Sequence, residues 1–173
     1  MKKIISSLAL TLAMFVSFVG TAGNERSIYE IHSMMIYNFV KYIQWPDYDP
    51  SQDFVIGVIG EDEVYNTLKT WYDGKLRGDK KFVVKKFESV AAISKCHIIY
   101  IGKDQGKSFD AINSKVKSYS ALTITDYPGL GLKGSAINFK TVNNKLAFEL
   151  NQKTIDQSNL KVSGQLSAMA ILI

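Results

Sequence analysis

The chain has 173 residues, of which 46% are hydrophobic, 12% aromatic and 21% charged, the profile of a globular protein rather than a disordered or fibrous one. Its formal charge is +5, with one cysteine and two histidines. These counts exclude an intramolecular disulfide, supply few metal ligands or nucleophile–base pairs, and give too little basic excess for a nucleic-acid binder.

Residues 1–23 read as a cleaved signal peptide. Lys2 and Lys3 are followed by a charge-free apolar run from Ile4 to Val19, then by the small residues Gly20-Thr21-Ala22-Gly23. The run is marginal for a bilayer, and polar residues follow it directly, so a removed leader fits better than a membrane anchor. The expected working chain is a periplasmic or secreted domain spanning 24–173, with no membrane span. Loss of Lys2 and Lys3 leaves 19 basic against 16 acidic side chains.

Ser27-Ile28-Tyr29-Glu30 fits a capping box, which predicts a helix running to about Gln44 and stopped by Trp45-Pro46. Helical winding puts Glu30, Ser33, Tyr37, Lys41 and Gln44 on a narrow polar stripe, with Ile28, Ile31, Met35, Phe39, Tyr42 and Ile43 opposite. Asp53 to Gly60 is a continuous apolar strand. Asp62 can cap a helix carrying Val64, Leu68 and Trp71 and closed by Gly74. Strands follow at Lys81–Phe87 and Cys96–Ile101, a helix at Phe109, Ile112 and Val116, and a strand at Ala121–Thr125.

This alternation predicts an α/β fold: one compact domain with a mostly parallel central sheet flanked by helices. After Pro128 the pattern changes. Ser135–Val142 and Lys145–Leu150 flank Asn143-Asn144, a two-residue turn for a C-terminal antiparallel β-hairpin. A short helix at about Lys153–Ser158 and an apolar end, Leu166–Ile173, complete the chain.

Most motifs fail on context. Gly129-Leu-Gly131-Leu-Lys-Gly134 matches a dinucleotide fingerprint by letter, but a strand follows where a helix is needed, so it reads as a loop. His32 lies on an apolar helix face and reads as a core histidine. Cys96 opens an apolar strand and reads as a buried thiol, with a redox role as the alternative. The six basic residues from Lys75 to Lys86 are interrupted by Asp79 and read as a solvated edge strand. Glu149 sits mid-strand, where burial demands a partner; Asn138 and Lys161 are the candidates. Together these three form either a structural ion pair or a polar patch for a ligand or partner. No catalytic residues, metal ligands or cofactor site stand out.

Four stretches carry a family resemblance: Tyr37–Pro46, Phe54–Gly60, Cys96–Ile101, and the set Ala136–Phe139, Leu146–Asn151 and Leu160–Ser163 with Leu166 and Ala170. In order and spacing the chain resembles the YfiR-like family of periplasmic regulators. The resemblance implies a non-enzymatic repressor that binds the periplasmic sensor region of an inner-membrane signalling protein, a diguanylate cyclase or a histidine kinase. It also implies a link to cyclic di-GMP signalling and biofilm, a homodimer, and redox control through disulfides. Cys96 matches one family cysteine, but a second is absent, so the intramolecular disulfide does not carry over. The alternative expectation is a periplasmic small-molecule binding module. A hydrolase or transferase has the least support.

Overall fold

The computed structural model describes residues 26–46 and 48–173; the expected leader therefore lies outside the described residues. In chain order the elements are α1 (Ile28–Tyr42), β1 (Ile43–Gln44), β2 (Phe54–Ile59), α2 (Asp62–Tyr72), β3 (Leu76–Arg77), β4 (Lys80–Lys86) and β5 (Ile98–Ile101). There follow α3 (Phe109–Val116), β6 (Leu122–Thr125), β7 (Ile137–Val142), β8 (Lys145–Leu150), α4 (Gln152–Gln157), β9 (Lys161–Val162), α5 (Gly164–Met169) and β10 (Ile171–Leu172).

An eight-stranded sheet runs in the order β10-β8-β7-β6-β5-β2-β4-β3. Neighbours from β4 through β2, β5 and β6 to β7 are parallel, β7 and β8 form the antiparallel hairpin, and β10 lies parallel to β8. The mostly parallel α/β architecture is thus as the strand–helix alternation predicts. The hairpin turn is explained locally: Asn143 and Asn144 both take positive φ, 50° and 58°, the primed-turn geometry asparagine tolerates.

Both faces of the sheet are covered, which is why its central strands are continuously apolar. Along β5, Ile98 and Tyr100 join the core under α1, α2, α4 and α5, while Ile99 and Ile101 join the core under α3. Phe87 packs where a side chain on β2 would otherwise stand; a Cβ at Gly57 would collide with its ring. The residue has to be glycine there.

Helix α1 starts as expected, with the Ser27 hydroxyl accepting from the Glu30 amide at 3.1 Å. It ends two residues earlier than expected. Ile43 and Gln44 are extended and pair antiparallel with Val162 and Lys161, forming a separate two-stranded sheet. The buried face of α1 is also rotated from the expected one: His32, Ser33, Ile36 and Phe39 are buried, whereas Ile28 is 43% exposed. Ser33 can be buried because its hydroxyl donates to the Tyr29 carbonyl at 2.8 Å. A polar side chain that satisfies itself on its own helix reads as surface in a periodicity argument. The cap of α2 is Glu61 rather than Asp62. The apolar end resolves into α5 and β10, and two further short strands, β3 and β9, carry no periodic signal because each is two residues long.

Candidate functional site

Glu149 and Asn138 face each other across the β7–β8 pair. The Asn138 amide donates to Glu149 Oε2 at 2.9 Å, and Lys140 Nζ donates to Oε1 at 2.7 Å. Burial alone would raise the Glu149 carboxyl; the hydrogen bonds and charge from Lys140 and Asn138 outweigh it and hold the group below its ordinary range. Asn138 is itself fixed from behind, its Oδ1 accepting from Thr125 Oγ1 at 2.7 Å. A Cβ at Gly131 would stand 2.5 Å from Glu149 Oε2, so that glycine serves close approach rather than phosphate binding. Gly129 to Gly134 form the turn-rich loop between β6 and β7 that the sequence predicts.

Asn138, Lys140 and Glu149 wall a cavity of about 320 Å³ at the carboxyl ends of the parallel strands, together with Lys103, Asp126 and Thr141. Ligands of open α/β sheets bind outside the carboxyl ends of the strands, so the placement is that of a site. Lys161 takes no part. It lies on β9, exposed, opposite Gln44, and the cation that neutralises Glu149 is Lys140, two residues along the partner strand from Asn138. The signal available for Lys140 was alternation: it shares the Asn138 face of β7.

Behind the cavity is a buried polar cluster. His32 Nδ1 lies 3.2 Å from the Tyr100 hydroxyl and 3.9 Å from Asp126 Oδ2, and its ring stacks on Phe139 with centroids 4.1 Å apart. Burial lowers His32 to a pKa of about 4, so the ring is neutral at pH 7, and its Nε2 has no partner among the described residues. Burial raises Asp126, and the Lys103 charge opposes that only in part. Asp126 accepts no hydrogen bond from the described residues, unlike Glu149. It is the group on the cavity wall with most to gain from a donor. Asp126 directly follows the end of β6 and Lys103 stands one residue beyond β5, after Gly102, a position rule that could have singled them out.

The two remaining chemically notable residues are structural. Cys96 is fully buried, and burial pushes its thiol up to about 12, which removes the thiolate that redox chemistry requires. His97 accepts from the Val55 amide at 2.9 Å and stacks on Phe54, with burial, Lys95 and Arg77 lowering it to about 4. No group of three or more metal-ligating side chains occurs among the described residues.

The two buried histidines give a pH prediction. Both titrate lower in the folded chain, near 4, than their ordinary 6.5, so the unfolded chain binds more protons between those values. Their stabilisation is present above about pH 6.5 and is lost as pH falls towards 4, by roughly 2–3 kcal/mol each. Urea midpoints should fall steeply between pH 7 and pH 4.5, and the double variant His32→Gln/His97→Gln should flatten the profile. An unchanged slope in that variant would contradict the assignment.

At the far edge of the sheet the surface is apolar. Met169 is 55% and Leu172 58% exposed, with Ile171 and Ile173 beside them. Strand β10 ends the strand order, so its outer edge has no strand partner among the described residues. An adjoining cavity of about 260 Å³ is lined by Met35, Phe39, Tyr42, Phe148, Leu166 and Met169. Exposed apolar side chains gathered at one edge are what an interaction surface requires.

The sequence model of the YfiR/HmsC-like family matches residues 29–171. The chain belongs to the YfiR/HmsC-like family. That family is one of periplasmic regulators, consistent with a coarse regulatory role. No curated protein sequence matches the chain. Among solved structures, a conserved domain protein from Vibrio cholerae O1 biovar El Tor str. N16961 superposes with a TM-score of 0.58 at 11% identity, covering 84% of this chain and 60% of that one. At that identity the likeness is one of fold, and this YfiR/HmsC-like chain spans about 60% of the other protein's length. Among its described residues no helix is long and apolar enough to cross a membrane.

Proposed function

We propose that this YfiR/HmsC-like chain is a non-enzymatic periplasmic regulator, exported with residues 1–23 removed. It binds the periplasmic sensor region of an inner-membrane signalling protein, of diguanylate cyclase or histidine kinase type, and represses it. The observation that carries the reading, within this family, is the apolar edge formed by Met169, Ile171, Leu172 and Ile173, along a strand whose outer edge has no strand partner among the described residues. An edge strand offers main-chain hydrogen bonds to a partner strand, and the apolar side chains offer buried area. Repression then means that the domain binds the partner's inactive conformation better than its active one. Crosslinking in cells followed by capture from solubilised membranes tests this: an integral membrane signalling protein should be recovered, and its output should rise when this chain is deleted. Recovery of no such protein would reject the reading.

A second reading, small-molecule binding, is favoured by Asp126, a half-buried carboxylate on the wall of the 320 Å³ cavity that accepts no hydrogen bond from the described residues. The two readings combine if a ligand there tunes partner affinity. Thermal shift of the purified domain against pools of periplasmic metabolites should show a stabilising pool whose effect disappears in Asp126→Asn. The absence of any stabilising pool would count against a ligand.

A further inference from the structure

The β3–β4 hairpin concentrates the charge of the molecule. Residues 75–86 hold six basic side chains, Lys75, Arg77, Lys80, Lys81, Lys85 and Lys86, and one acidic, Asp79, leaving fifteen basic and fifteen acidic side chains in the rest of the chain. The formal excess of +5 therefore resides in twelve residues. Lys86 is held by Asp62 and Glu88, and Arg77 lies over the Phe54 and Tyr48 rings at 4.5 and 5.0 Å, which ties the hairpin to the core. Lys75, Lys80, Lys81 and Lys85 make no ion pair among the described residues. Amid them Leu76 is 67% exposed, opposite Lys81 in the strand register. Trp71 and Tyr72, both partly exposed, end the helix that leads into the hairpin.

We infer that this hairpin docks on an anionic phospholipid surface. Unpaired lysines, a protruding leucine and interfacial aromatics at one edge are the elements of peripheral membrane binding: charge attraction brings the edge to the headgroups and the apolar side chain enters the acyl boundary. An acidic protein patch would satisfy the lysines and leave Leu76 in water. The geometry adds an orientation. β3 and β10 are the opposite ends of the eight-stranded order, so the apolar edge stands seven strand spacings, about 33 Å, from the docked hairpin. A chain held this way presents that edge to protein segments well above the bilayer.

The test is sedimentation of the purified exported chain with vesicles of phosphatidylethanolamine and phosphatidylglycerol, against vesicles of phosphatidylcholine alone. Binding should occur on the anionic vesicles and fall with added salt. Lys80→Glu/Lys81→Glu should weaken it about tenfold or more, as should Leu76→Ser. Lys145→Glu, in the other hairpin, should leave it unchanged, and unfolding midpoints identify any variant that has lost its fold. Equal sedimentation with both vesicle types, or unchanged binding in the folded charge-reversed variant, would overturn the inference. So would capture of a membrane protein that depends on Lys80 and Lys81 while vesicles alone bind nothing, which would assign the surface to an acidic protein. Because the vesicles carry no protein, the result is independent of the regulatory reading.

Discussion

Placing aspartate at both Met169 and Leu172 should abolish capture of the membrane partner while leaving the fold intact. The two side chains are more than half exposed, so the folded chain loses little when they become charged. A docked partner would bury them, and a carboxylate at the centre of an apolar interface has no compensating charge. If each position is worth about 2 kcal/mol at the interface, the pair weakens binding by about three orders of magnitude. Quantitative capture from membranes, with thermal midpoints of both proteins measured in parallel, checks this. Undiminished capture by a folded double variant would move the docking site elsewhere on the molecule.

The second large effect is on stability. Phe54 is fully buried on β2 and meets the rings of Trp45, Tyr48, Phe82 and His97, with centroids 4.6 to 5.8 Å away. Arg77 also lies over it. Phe54→Ala empties the middle of this aromatic group and should cost about 3–5 kcal/mol, a large share of the stability of a domain this size. Phe54→Leu keeps most of the volume and should cost well under half as much. Urea unfolding of the three proteins measures both. Equal midpoints for Phe54→Ala and the parent chain would mean that the aromatic cluster contributes little.

The fold class was legible in the chain because its signals are long-range repeats of short patterns. Apolar runs at Phe54–Ile59 and Ile98–Ile101 and the Asn143-Asn144 turn each have one structural meaning. What escaped was anything two residues long or dependent on a distant partner. Ile43 and Gln44 look like the end of a helix until Val162 and Lys161 arrive to pair with them. The site was half legible. Glu149 stands out as a carboxylate in mid-strand with Asn138 as its register partner, but the cation beside it is Lys140, marked only by sharing the Asn138 face of β7, and not Lys161. Asp126 and Lys103 belong to no sequence motif. Their interest comes from following the ends of two parallel strands, a property of topology.

The pairing of β1 with β9 has a consequence for the order of events as the chain is made. Helix α1 is made well before Tyr100 and Phe139, which cover its His32, and before Val162, which secures the residue after it. Until Val162 is synthesised, the helix has no complete seat and keeps apolar surface in water. Completing this seat therefore waits on segments distant in sequence rather than on local contacts.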